Sequence, residues 1–260
     1  MPDVTRYLDW SLKLGETEVP FVAGSLAAGN DKRTEELQSG RKLAPDLIQV
    51  TGKKPFIKAT ILDPSVLTTW TAIGSEPAAV TATWRTYLQD GGLGASYKSI
   101  LMAKGVIMPV QLSGSPTKAA TLDILALAAF TTGSALTFGT TSATGGAVTK
   151  AFYPTTITVG SAVGKIVSVQ NSWNYQVQDD DQLEPAYYYY DKYAMSGQAV
   201  VKDLAQVTAA RLEDGSAEAV TLLFTDANGA TTVTVSLGNC KIHAEISGGD
   251  GTLSWSQLSA

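Results

Sequence analysis

The sequence predicts a mainly β fold, made of two tandem copies of a small β-sandwich or half-barrel, each with one short flanking helix. Three observations predict it. Only 17% of the 260 residues are charged while 44% are hydrophobic, and Thr, Ser, Ala, Gly and Val fill the remaining surface, a mixture that favours strands over long solvated helices. Short apolar-alternating runs recur between turn-forming residues. The chain also repeats itself: a shift of 140 positions brings Leu43 onto Leu183, Pro45 onto Pro185, Ala59 onto Ala199, Asp63 onto Asp203 and Thr68 onto Thr208. The same shift aligns Ala79-Val80-Thr81 with Ala219-Val220-Thr221. Eight identities fall in the 42 positions from 43 to 84, against roughly three expected from composition.

In the first half, "KPFIKATIL" reads as a strand, and Asp63-Pro64 supplies a helix N-cap followed by proline at the first helical position. "SVLTTWTAI" then places Val66, Leu67, Trp70 and Ile73 on one helical face, and Gly74 stops the helix. In the second half, "SGQAVV" leads to a cap candidate at Asp203, a helix over "LAQVTAARLED" with Leu204, Val207 and Arg211 on one face, and a stop at Gly215. "VIMPVQLSG" (106–114) resembles "CKIHAEISG" (240–248). Two hairpins close the second half, one turning at "DANGA" with its Asn-Gly signal and one at "GGDG". The expected division is 1–147 and 148–260, bridged by the small polar stretch "FGTTSATGGAV" (138–148).

Candidate chemistry is sparse. His243 is the single histidine and Cys240 the single cysteine; three positions apart on a strand, they face opposite ways and make a poor nucleophile–base pair. One of each cannot fill a tetrahedral zinc site, and a lone cysteine excludes an internal disulfide. "QDDDQLE" (178–184) lacks the spacing and glycine of a calcium loop and reads as a solvated acidic loop. "GGLGASYKS" (91–99) has Tyr97 where a phosphate loop needs glycine, and reads as a hairpin tip. No cofactor, metal or catalytic constellation is expected. The "MPDVTRYLDWS" start lacks the basic-then-apolar order of a signal peptide, and "AATLDILALAAF" is too short to span a bilayer, so no membrane partner is expected.

Two stretches call for a second surface. "DKRTEELQSGRK" (31–42) is a dense mixed charge run, read either as a solvated loop or helix face or as an arm over 27–42 reaching a neighbouring subunit through Asp31, Lys32, Arg33, Glu35, Glu36, Arg41 and Lys42. "EPAYYYYDKY" (184–193) holds half of the ten tyrosines. On a strand Tyr187 and Tyr189 share one face and Tyr188 and Tyr190 the other, so one pair can enter a core and the other is left for a subunit interface; core for all four is the alternative.

The strand–helix–hairpin order, the C-terminal hairpins "DANGATTVTVSLGNCKI" and "ISGGDGTLSW", the arm-like "LAAGNDKRTEELQSGRK" and the acidic Thr/Ser/Gly-rich composition together resemble tail-tube-fold structural proteins of tailed bacteriophages. The resemblance implies a virion location and a homo-oligomeric ring, of three duplicated chains or alternatively six. It also implies stacking into a tube and contact with other tail proteins, with DNA passing through during ejection. A net charge of −5 agrees with a wall that does not hold phosphates. The alternatives are another tail or capsid component of the same fold (distal-tail, hub, terminator or decoration protein) and a carbohydrate-binding β-sandwich with Trp10, Trp173 and Trp255 as its platform.

Overall fold

The computed structural model describes residues 6–37, 47–69, 79–88, 91–130, 133–145, 151–202, 204–213 and 215–258. Among them the first half forms β1 (Arg6–Leu14), β2 (Thr17–Glu18), β3 (Ala27–Leu37), β4 (Leu47–Ile61), α1 (Val66–Thr69), β5 (Val80–Tyr87), β6 (Leu93–Met102), β7 (Gly105–Ser115), β8 (Lys118–Ala128) and β9 (Leu136–Gly139). The second forms β10 (Phe152–Val159), β11 (Ala162–Asp179), β12 (Tyr188–Val201), a 3-10 turn (Leu204–Gln206), α2 (Ala209–Glu213), β13 (Ser216–Asp226), β14 (Thr232–Ser247) and β15 (Asp250–Gln257). The fold is mainly β, with the strands in two sheets in a sandwich-like arrangement. No helix among the described residues is long and apolar enough to cross a membrane.

A five-stranded sheet runs β2-β1-β5-β6-β9, and a ten-stranded sheet runs β10-β13-β14-β15-β12-β11-β7-β8-β4-β3. Within the larger sheet the order β7-β8-β4-β3 is repeated by β14-β15-β12-β11, and β1-β5-β6 is matched by β10-β13-β14. The registers correspond as well. Ala59 lies opposite Ile124 and Ala199 opposite Leu253, at the same place in the two orders. The β3–β4 ladder slips between Arg33 and Thr34, opposite Thr51, and the β11–β12 ladder slips between Gln176 and Val177, opposite Asp191. Those two bulged residues are again 140 positions apart. The pairing of β1 with β5 slips between Asp9 and Ser11, and that of β10 with β13 between Pro154 and Thr156.

Gly105 and Gly238 mark the largest difference between the halves. β14 is a single 16-residue strand that serves β13 with its first part and β15 with its second, bulging at Leu237 beside Gly238 (φ 71°). In the first half the equivalent run is cut into β6 and β7, which lie in different sheets. The cut falls at Gly105, whose φ of 149° is open only to glycine and where a Cβ would sit 2.0 Å from the Leu127 carbonyl oxygen.

The expected hairpins and the "KPFIKATIL" strand are present, and "GGLGASYKS" is the tip and second strand of the β5–β6 hairpin. Four expectations change. The two halves do not close separately: β7 pairs with β11, so one sheet and one apolar core, from Leu12 and Ile61 through Leu112 to Phe224 and Leu253, run through both. The second helix breaks into the 3-10 turn and α2, because Val207 and Thr208 leave the helix and Thr208 starts a new turn by accepting from the Arg211 and Leu212 amides. The charge run is neither loop nor helix up to Leu37 but an edge strand, since pairing with β4 satisfies its backbone on one side. The stretch read as a bridge begins inside β9, which pairs with β6. Asp63 caps as expected, accepting from the Ser65 amide at 2.8 Å, whereas Trp70, Ile73, Gly74 and Asp203 lie outside the described residues.

Candidate assembly surface

The tyrosines alternate as their spacing requires. Tyr187 and Tyr189 are 57% and 50% exposed with ring centroids 6.4 Å apart, whereas Tyr188 is buried and Tyr190 half-buried. The inward pair stands apart from the main core and packs against the first half, with Tyr175 and Val177 of its own half beside it. Tyr188 clusters with Met108, Leu127 and Ala129, flanked by Phe56, Val106, Leu125 and Tyr190, and the Tyr190 hydroxyl donates to the Ile107 carbonyl at 3.1 Å. Burial, with the charges of Asp179 and Asp180 behind it, pushes the Tyr188 hydroxyl up to about 12.

This placement follows from the length of the β11–β12 hairpin, whose distal part lies across β7 and β8 and reaches β4. There Lys54 pairs with Asp179 at 2.8 Å and Lys53 with Glu184 at 2.5 Å, while the Lys53 amide donates to Leu183 and the Phe130 amide to Pro185. The Lys54 ammonium holds the Asp179 carboxyl below its usual range against the opposing effect of burial. A cleft of about 220 Å³ opens here, lined by Asp31, Lys32 and Arg33 from β3 and by Lys54, Asp179 and Gln182. In the acidic stretch Asp179 and Glu184 are engaged by lysines, Glu184 while exposed, Asp181 and Gln182 are exposed, and no group of three or more acidic, His or Cys side chains among the described residues could hold a metal ion.

Of the charge run, Asp31, Lys32, Arg33 and Glu35 are exposed on β3, and Glu36 lies opposite Ile48 in the ladder. Arg41 and Lys42 lie outside the described residues. At the cleft the structure joins Asp31, Lys32 and Arg33 to the loop that precedes the tyrosines, and Glu35 is not among the residues that line it. Cys240 is fully buried, burial raising its thiol, and His243 is exposed on the opposite face of β14.

Two features escaped sequence reasoning. Asp9 accepts from the Gly24 and Leu26 amides and from the Trp84 indole, fixing the approach to β3; nothing in its local sequence announces this. The second is a polar row on the sheet face opposite the core. His243 lies opposite Ser254, Ser254 opposite Gln198, Gln198 opposite Gln170, Gln170 opposite Ser113 and Ser113 opposite Thr121, so six strands present polar side chains, five of them hydroxyls and amides. The signal was the alternation of each strand, but only the registers assemble it into a row.

The proposed tryptophan platform does not form. Trp255 is 3% exposed with its indole donating to Asn171 at 2.8 Å, and Trp173 is partly buried against the core. Trp10 donates to the Ala143 carbonyl under the Arg85 guanidinium. In comparison with known proteins, no family model and no curated sequence matches the chain.

Proposed function

We propose that this chain is a virion structural protein of a tailed bacteriophage, self-assembling into stacked rings that form the tail tube through which DNA passes at ejection. The observation that carries the reading is the polar row across six strands. Duplex DNA is gripped by cations that release its counterions, whereas hydroxyls and amides on a chain of net charge −5 offer no such gain and let it slide. The repeated strand order supports it further. Two halves that are copies of one fold give each chain two similar wall segments, so three chains make a ring of six, with six chains as the alternative. The exposed Tyr187 and Tyr189 and the charged β3 edge are then contacts with neighbouring subunits, where a rigid ring with a hydroxyl suits a partly wet interface.

Other tail or capsid parts of the same fold differ in how far they stack. Gel filtration with negative-stain imaging of purified protein tests all of these readings. Tubes are the expected result; discrete, unstacked rings would point to a hub, distal-tail or terminator protein, and a monomer that stays monomeric at high concentration would overturn self-assembly.

A further inference from the structure

Inside the chain, the two halves meet where Gln111–Gly114 of β7 pairs with Val169–Ser172 of β11. The shared registers locate the counterparts of both strands. Ile61 faces Leu122 and Val201 faces Gly251, so Leu122 corresponds to Gly251, and their next partners, Leu112 and Ile246, correspond to each other. By the same route Lys58 corresponds to Gln198, and hence Ala27 to Gln170. The joint made by β7 and β11 therefore has a second, unmade version: residues 245–248 at the end of β14, and residues 26–29 at the start of β3.

Past Leu26, whose amide is taken by Asp9, both stretches lie at sheet edges with no further strand among the described residues. Among the described residues, β3 ends the ten-stranded sheet and β14 is paired with β13 only as far as Ile242, which leaves no strand on one side of residues 243–247. Burial shows what each edge lacks. Leu112 at the made joint is 0% exposed, while Ile246 is 54% exposed, although Ile242 and Ala244 before it on the same face are buried. An apolar side chain that continues a buried face but stands in solvent at an open edge is what a sheet shows when its next strand belongs elsewhere.

We propose that the start of β3 in one chain pairs antiparallel with the end of β14 in a second copy of this chain, Ala27 opposite Ser247 and Ala28 opposite Ile246. The contact repeats between chains the joint made within each chain. The two edges are different surfaces, so the contact is head-to-tail and propagates around a ring. The proposal rests on the reading of the chain as self-assembling and names the surface that does it.

Cysteine pairing tests it, with the buried Cys240 left in place. Opposed residues of an antiparallel pair have Cα atoms about 4.5–5.5 Å apart, within reach of a disulfide. An oxidised mixture of Ala27→Cys and Ser247→Cys single variants is expected to give a mixed covalent dimer that neither variant gives alone, and Ala27→Cys mixed with Lys241→Cys is expected to give none. Ile246→Lys is expected to raise the concentration needed for assembly by on the order of tenfold while leaving the melting of the isolated chain unchanged. Particles that assemble normally, seen by imaging, but give no mixed dimer would overturn the edge pairing and leave self-assembly standing. A wild-type chain that does not assemble would overturn both.

Discussion

Arg211 is 3% exposed, and its guanidinium is hydrogen-bonded to carboxylate, carbonyl and amide oxygens. Its guanidinium donates to both Glu218 carboxylate oxygens, at 2.7 and 2.5 Å, to the Gln206 carbonyl and side chain at 2.7 and 2.8 Å, and to the Val159 carbonyl at 3.1 Å. One side chain so ties α2, the 3-10 turn, β10 and β13 together, and the fork geometry makes lysine a poor replacement. The Arg211 hydrogen bonds hold the Glu218 carboxyl below its ordinary 4.5 despite burial. A lowered carboxyl contributes stability that is complete above that ordinary value and is lost as pH falls through the folded-state value. The urea midpoint is therefore expected to fall on acidification below 4.5, and Glu218→Gln to lower stability at neutral pH by about 2 kcal/mol and flatten that acid dependence. The tyrosines give a second expectation at this scale. Tyr188→Ala is expected to cost about 3–5 kcal/mol in urea unfolding by emptying an aromatic site. Tyr187→Ala and Tyr189→Ala are expected to leave the melting temperature of the isolated chain nearly unchanged and to weaken ring or tube formation.

Among the elements, the halves differ most where Gly105 divides β6 from β7 and where Gly238 leaves β14 whole. Gly105→Ala forces a Cβ onto the Leu127 carbonyl, and is expected to cost several times more than Gly238→Ala, whose Cβ would meet open space and cost only about 1 kcal/mol for the left-handed backbone. Parallel urea titrations of the two variants check the ranking. The hairpins of the second half were legible because Asn228-Gly229 and Gly248-Gly249 write their turns locally, and Asp63 announced its helix for the same reason. The face of each tyrosine was legible from period-two alternation alone. What Tyr188 and Tyr190 pack against was not, because β11 and β12 turn back over β7 and β8, and contacts across 80 residues leave no local signal. The β3 strand was hidden for a related reason: at an edge, one row of backbone bonds stabilises a strand whatever its side chains, so a charged sequence reads as loop. Arg211 stood on the expected apolar helical face, but its partner Glu218 comes from the next strand, and only the fold brings the carboxylate under it.

At the scale of the molecule, the proposed passage of DNA along the polar row predicts weak interaction with nucleic acid. The assembled protein is expected to show no measurable duplex binding at physiological salt in fluorescence anisotropy; micromolar affinity falling steeply with salt would contradict the proposed passage of DNA. The unbroken β14 has a mechanical consequence. In the second half a single strand is hydrogen-bonded to β13 and then to β15, so the two regions it joins cannot rotate independently. In the first half, β6 and β7 are joined by the Ala103–Lys104 connection and belong to different sheets, which meet through the shared apolar core. In the second half a pull on β13 thus reaches β15 along one backbone, whereas in the first half it passes between two sheets through packed side chains.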